Sequence, residues 1–388
     1  MGGHAVARAG RSTRMNRQVG SGGAGLRSMN ARDVLAALHG SDEARTVADL
    51  AGEVRLTRPT VEAALAELVQ MGWVQEVPPE AVPNRAGRRA RRFRFHAAAG
   101  LLMGVDVGPH AVTCLISDLA GAVVHSEEER YDDHGDAATA WAVIRAVVER
   151  ALDAVSATRV LATTVGVPAV VGPDGVIAYS VVVPGWLRAG IPSLISSSFP
   201  SDATFFDNDV KLATLAEAEW GGLRDARHAI FLLAGRQIGA GLIVNGELTR
   251  GANGAAGEIG GLDSVDWASA PVGLTDSFDP PLAIEQIFER AAEADPAAVG
   301  AVAVFARDIA EGVAALALTV DPEVVVVAGE AVLAGDAFLV PLRRALSSLC
   351  LSTPRIEPTS LGTRAVALGA LARSLEHVRD AVLELPRP

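Results

Sequence analysis

The stretch LLMGVDVGPHAVTCLISDLAGAVV, Leu101 to Val124, constrains the fold more than any other part of the chain. Three short apolar runs are separated by turns at Gly108 and Gly121, and such a succession reads as a β-meander. The first run carries Asp106 beside its turn. The same logic recurs downstream: TTVGVPAVVGPDGVI gives a strand and turns, and TFFDNDVKLATLAEAEWG gives a strand, an acidic turn and a helix from about Val210. HAIFLLAG, GAGLIVNGELTRG and VVVVAGEAV supply further strands, the last followed by a helix. Strands alternating with helices and glycine turns imply an α/β fold with parallel or mixed sheets.

At 388 residues the chain exceeds one ordinary core, because single cores stop growing near ~250 residues. With 49% hydrophobic and 21% charged residues and 39 glycines, it is expected to be a globular protein with many tight turns rather than a disordered chain. Cys114 and Cys350 cannot form a disulfide framework, and no Cys/His cluster has zinc-ligand spacing, so neither metal nor cofactor is expected. The arginine-bearing N-terminus lacks a signal-peptide core, and no apolar run reaches the ~18 residues of a membrane helix. A cytoplasmic location, without a membrane partner, is the expectation.

Charge is divided unevenly. Residues 1–100 hold 15 Arg, no Lys and 9 Asp or Glu, a balance of +6, while the whole chain carries -12 and the remainder therefore -18. A basic head on an acidic body points to a polyanion partner for the head. Residues 1–28, rich in Gly, Ser and Arg, read as a disordered tail. From Asn30, NARDVLAALHG places Val34, Leu35 and Leu38 on one helical face, and TVADLAGEV forms a second helix. A third begins near Arg58, with Thr57 as N-cap and Pro59 in the first turn, where a missing N–H costs nothing. Val61, Leu65 and Leu68 are its buried stripe, leaving Arg58, Pro59 and Thr60 at the exposed N-terminal end, where side chains reach bases and phosphates when a helix enters the major groove. GWVQEV and RRFRFH read as two strands, Phe93 and Phe95 facing inward, joined by the basic hairpin NRAGRRARR with Arg88 and Arg89 placed for a phosphate backbone. A charged three-helix bundle is the plain alternative, and part of the arginine content reflects a preference for Arg over Lys, since Lys211 is the chain's one lysine.

Three helices followed by a basic hairpin resemble the winged helix-turn-helix domains of bacterial repressors, over roughly residues 29–96. In the remainder, DLAG, GVPAVVGPDGVI, PGW, DNDVKLATLAEAEWG, IVNGELTRGANGAAGEIGG and LGTRAVALGALA are similar, in that order, to successive motifs of the ROK family over about residues 101–375. The family holds repressors and sugar kinases. The resemblance implies an α/β chain with an N-terminal winged helix-turn-helix domain at 29–98, followed at 99–388 by a two-lobed, actin-like ATPase (ribonuclease H-like) body that serves as effector and dimerisation domain.

The family kinases carry phosphate loops that depart from pattern here. Asp106, Val107, Gly108, Pro109 and His110 stand where the resemblance implies Asp-x-Gly-Gly-Thr, and Pro109 removes a backbone donor. Gly235, Arg236, Gln237, Ile238 and Gly239 stand at a Gly-Thr-Gly-Ile-Gly loop, where side chains should obstruct the backbone's approach to phosphate. Ala328, Gly329 and Glu330 replace three glycines, adding a negative charge. Three altered loops together imply lost nucleotide binding and no enzyme activity, with Arg236 filling the volume around which the loop would wrap.

On the sugar side, Asp209 matches the family's catalytic base and Asn208 a sugar-binding asparagine, while Glu258 matches a sugar-binding glutamate. Asn208 and Asp209 are equally suited to cap the helix that follows. Gly261 stands where the family has a histidine shared between sugar and zinc, and LDSVDWASAPVGLTDSFD has no counterpart to its cysteine-rich zinc loop. Asp106, His110 and Trp186 read more simply as locally satisfied or core residues. The expectation is a DNA-binding transcriptional regulator, a repressor, that binds double-stranded operator DNA as a homodimer or higher homo-oligomer and senses a sugar or sugar derivative through Asn208, Asp209 and Glu258. Alternatives are an ATP-dependent sugar kinase with a fused DNA-binding domain and a regulator with no small-molecule effector.

Overall fold

The computed structural model describes residues 22–39, 43–78, 90–131, 136–180 and 182–384. The backbone divides into two compact units, the larger running from Ala97 to Ala381.

The first unit contains α1 (Gly22–His39), β1 (Arg45–Thr46), α2 (Val47–Glu53), α3 (Arg58–Gln70), β2 (Val74–Val77) and β3 (Arg92–Phe95). Helix α1 begins before the Asn30 start that the apolar pattern predicts, because residues 22–28 carry no periodicity from which a helix can be read. Thr46 opens α2 with a reciprocal cap: its hydroxyl accepts from the Asp49 N–H, and the Asp49 carboxylate accepts from the Thr46 N–H at 2.9 Å. Those bonds hold the Asp49 carboxyl below its ordinary value. Thr57 caps α3 as its sequence suggests, accepting from the Thr60 N–H, with Pro59 in the first turn. Val61, Leu65 and Leu68 of α3 are buried, as are Val34 and Leu38 of α1 and Leu50 of α2, and α3 packs against both other helices; each leucine buried this way contributes roughly 1.5–3 kcal/mol. Strand β3 pairs antiparallel with β1 on one side and β2 on the other, its Phe93 and Phe95 turned inward. Arg92 is anchored by two bonds to the Ala44 carbonyl, at 2.7 and 3.0 Å.

The second unit runs β4 (Leu101–Val107), β5 (Ala111–Asp118), β6 (Val123–Arg130), α4 (Ala137–Ala154), β7 (Ala162–Val167), β8 (Val170–Val171), β9 (Ile177–Tyr179), α5 (Pro184–Arg188), α6 (Ile191–Ser198), β10 (Thr204–Asn208) and α7 (Asp209–Trp220). It continues through β11 (His228–Leu233), β12 (Gly239–Val244), β13 (Glu247–Thr249), α8 (Ser269–Thr275), α9 (Ile284–Ala292), α10 (Pro296–Val320), β14 (Val324–Ala328), α11 (Asp336–Leu349), β15 (Arg355–Pro358) and α12 (Ala365–Glu384). Two five-stranded sheets result, in the orders β10-β7-β4-β5-β6 and β13-β12-β11-β14-β15. Each is an antiparallel meander whose first strand is extended by two parallel strands, so one topology is built twice. The expected meander is β4, β5 and β6.

Strands β7 and β14 are buried throughout, as parallel strands covered on both faces must be. In the second lobe α10 packs on the sheet, and Phe305 meets Phe288 and Phe338 with ring centroids 5.7 and 6.0 Å apart. In the first, α4 covers the meander, and Trp186 is a core residue of the same cluster. Helix α12 returns to the first sheet, where the Ser374 hydroxyl donates to the Met103 carbonyl at 3.1 Å and bonds Thr164 Oγ1 at 2.9 Å. Both cysteines are free thiols. Among the described residues no helix is long and apolar enough to cross a membrane.

Candidate effector site and DNA-reading helix

Ligands of α/β sheets collect beyond the carboxyl ends of parallel strands, where the backbone diverges into loops. In the first lobe those ends are β4, β7 and β10, and they deliver Asp106, the Ala169 carbonyl, and Asn208 with Asp209. Asn208 is the N-cap of α7: its Oδ1 accepts from the Lys211 N–H at 2.9 Å, and its Nδ2 donates to the Ala169 carbonyl at 3.0 Å and to Asp209 Oδ1 at 3.2 Å. Both amide hydrogens are therefore engaged, and one lone pair of Oδ1 remains. The capping alternative read from sequence is thus realised for Asn208. In Asp209, Oδ1 accepts from the Val210 N–H at 2.8 Å.

Burial pushes the Asp209 carboxyl up to about 7, with the nearby Glu258 charge acting in the same direction and the Val210 N–H and Lys211 acting against it. Burial also raises Asp106 well above the ordinary range, reinforced by Asp209 and Glu128. The charge of Asp209 thus reaches Asp106 and disfavours its ionisation.

Glu258 arrives from the second lobe, on the loop after β13. Its Oε1 lies 3.5 Å from Lys211 Nζ, a side chain only 2% exposed. Arg250, from the same loop, crosses to Asp207 on β10 with Nη1 at 2.6 Å from Oδ1. Asp207 is buried and its Oδ1 also accepts the Asn208 N–H at 2.9 Å. Sequence reasoning missed Lys211, Arg250 and Asp207 as a set. The signal available was that the chain's one lysine and a second aspartate, Asp207, both lie in DNDVK.

Beyond Glu258, the segment that has no zinc-loop pattern is held by an aromatic anchor. Trp267 is 3% exposed, its Nε1 donates to the Ile309 carbonyl at 3.2 Å, and its ring fills the space left by Gly312 in α10. Among the described residues no group of three or more His, Cys, Asp or Glu is placed to hold a metal ion.

The glycine loops are occupied from within. After β4, the Gly108 N–H donates to the Ala111 carbonyl at 3.0 Å, Pro109 has no N–H, and the Tyr131 hydroxyl donates to the Gly108 carbonyl at 2.7 Å. After β11, the Arg236 N–H donates to Glu330 Oε2 at 3.2 Å. The Arg236 side chain does not fill the loop as the sequence reading expects; it turns to Glu285 on α9, with Nε and Nη2 at 2.8 and 2.7 Å from the two carboxylate oxygens. A bidentate carboxylate partner outcompetes water for a planar guanidinium, which explains the direction taken.

In the first unit, Arg58 and Pro59 are exposed and Thr60 half-exposed at the start of α3, and the Thr57 and Thr60 hydroxyls are 2.7 Å apart. Arg94 is exposed on β3, and Arg91 pairs with Glu76 across the strands at 2.6 Å. Arg88 and Arg89 lie outside the described residues.

Two family models match this chain. The model of the ROK family covers residues 102–269 and 277–376, and that of the IclR helix-turn-helix domain covers residues 29–78. The chain belongs to the ROK family. A xylose repressor of Caldicellulosiruptor bescii is 24% identical over 360 residues, spanning 82% of this chain and 88% of that protein. An N-acetylglucosamine repressor of Escherichia coli O157:H7 is 28% identical over 221 residues, 54% of this chain and 52% of the relative. Among solved structures, a ROK family transcriptional regulator described as a homologue of the E. coli MLC protein superposes with a TM-score of 0.67 at 19% identity, covering 93% of this chain and 98% of the other. A ROK family glucokinase from Streptomyces griseus, in complex with glucose and AMPPNP, superposes with a TM-score of 0.58 at 21% identity over 71% of this chain and all of that one. The ROK body and a helix-turn-helix head thus occur on one chain, and the α/β architecture expected from the motifs is the one observed.

Proposed function

We propose that this ROK protein is a DNA-binding transcriptional repressor whose body senses a sugar or sugar derivative and does not phosphorylate it. The observation that carries this reading is the union of a helix-turn-helix unit, with α3 presenting Arg58, Pro59 and Thr60, and a ROK body whose phosphate-side loops are bonded to the protein's own groups. The relatives named as xylose and N-acetylglucosamine repressors support the same class. In this reading residues 29–98 bind operator DNA, with Arg88 and Arg89 on the wing, and residues 99–388 bind effector through Asn208, Asp209 and Glu258 and join two copies. Two recognition helices set one DNA turn apart require a dimer. Effector alters DNA affinity only by its differential affinity for the two arrangements of the heads.

The test is binding of purified protein to DNA upstream of its own gene, at two salt concentrations, with a panel that includes xylose, N-acetylglucosamine and their phosphates. Specific binding that one member of the panel changes is the expected result. Absence of specific DNA binding under every condition would sink the reading.

One observation favours a second reading, a sugar kinase with an attached head. Asp209 titrates near 7, where a general base is most effective. Hexose-dependent ADP release that vanishes in Asp209→Asn would establish it.

A further inference from the structure

Strands β11 and β14 are adjacent and parallel, with Leu233 opposite Ala328, so the loops that leave their carboxyl ends lie side by side. Two glycines permit the approach. Gly329 has φ 87°, and a Cβ there would meet the Ala234 carbonyl; a Cβ on Gly235 would run into the Glu330 carboxylate. The Ala331 N–H donates back to the Ala234 carbonyl at 3.0 Å, which fixes the register of the two loops.

Glu330 is folded into this arrangement. Its Oε2 accepts the Arg236 N–H at 3.2 Å, its carboxylate rests against the Gly235 Cα, and its Oε1 lies 4.0 Å from Arg236 Nε. A backbone N–H, a bare Cα and the flank of a guanidinium are the contacts with which a loop holds an oxyanion. The guanidinium keeps its place because Glu285 takes the hydrogens of Nε and Nη2 at 2.8 and 2.7 Å, so Glu330 meets Nε only through its charge. Burial opposes ionisation of Glu285, but the Arg236 bonds, with Arg130 of the first lobe adding to them, hold its carboxyl below the ordinary value. Glu330 is 30% and Arg236 38% exposed at the side chain, so the cradle opens to solvent.

We infer that the Gly235–Gln237 loop is an oxyanion site whose resident ligand is the protein's own Glu330 carboxylate, and that removing this carboxylate lets a phosphoryl anion take its place. The inference rests on the non-kinase reading above and gives it a residue-level cause: the cradle has not lost its chemistry but carries a tethered occupant. An external anion must displace a carboxylate present at very high local concentration, and its own charge is repelled by that carboxylate until it leaves.

The experiment is a calorimetric titration of the full chain with inorganic pyrophosphate, comparing wild type, Glu330→Ala, Glu330→Gln and the double variant Glu330→Ala with Arg236→Ala. Glu330→Ala is expected to bind pyrophosphate saturably and about tenfold or more tightly than wild type, as loss of one charge-opposed contact implies. The double variant should lose the gain. Should the alanine variant fail to fold, as judged by its melting transition, Glu330→Gln retains the side-chain volume without the charge and should shift in the same direction. Folded Ala and Gln variants that bind no tighter than wild type would overturn the inference, as would a gain that survives in the double variant, since the anion would then sit elsewhere. ADP release by the wild type is a separate readout and tests only the non-kinase reading.

Discussion

Asp209 is the residue whose chemistry is set most strongly by its surroundings. In the unfolded chain its carboxyl titrates near the ordinary 3.8, whereas burial raises it to about 7 in the folded protein. Between those values the folded state holds a proton that the unfolded state has released, so the contribution of this group to stability is full below about pH 4 and is lost as the pH climbs through about 7. Asp209→Asn keeps the bond from the Val210 N–H and removes the titration. Its melting temperature should exceed that of wild type at about pH 8, and the difference should disappear toward about pH 4; a difference that does not change with pH would show that the carboxyl is not held up. On the head, Arg58→Ala should weaken specific DNA binding by about 1–3 kcal/mol and relax preference at one base pair if Arg58 reads a base. Fluorescence anisotropy with operator and scrambled duplexes checks this: equal loss on both would make Arg58 a phosphate contact.

Among the elements, the segment between Glu258 and α9, which has no zinc-loop pattern, is held by packing. Trp267 fixes the segment to α10 by filling the Gly312 notch and donating to Ile309. Trp267→Ala should destabilise the protein by about 3–5 kcal/mol, because a large apolar cavity opens and the indole bond to the Ile309 carbonyl is lost; denaturant unfolding measures it, and a loss below about 1 kcal/mol would mean that the segment is held by other contacts. If Arg88 and Arg89 contact DNA phosphates as proposed, replacing both by Ala should lower affinity for all DNA sequences and flatten the dependence of log K on log salt by about 1 per lost phosphate contact. An unchanged slope would remove the wing from the interface. Capping made these elements readable: Thr57 and Pro59 announce α3, and the structure places the cap where they predict. The start of α1 at Gly22 was not readable, because GGAGLRS gives no periodic apolar signal.

At the scale of the molecule, the two units bury separate apolar sets: Val34, Leu65 and Phe93 in one, and the sheets with α4, α10 and α12 in the other. A chain begun at Ala97 should therefore fold, retain any sugar-induced rise in melting temperature seen in the full protein, and lose DNA binding. Thermal shift and anisotropy on the truncated protein check this, and a truncated body that fails to melt cooperatively would refute independent folding.

The strand and helix alternation, the helix-turn-helix pattern, the family motifs and the candidacy of Asn208, Asp209 and Glu258 are all legible in the order of residues. Those features are local: period, cap residues and short motifs are written in consecutive positions. The folded chain alone reveals that Lys211 lies against Glu258, that Arg250 crosses to Asp207, that Arg236 turns to Glu285, and that Glu330 fills the loop beside Gly235. The reason is physical. Each of those pairs joins positions 43 or more residues apart, and which charge meets which is fixed by strand order and by the cost of leaving a buried charge without a partner.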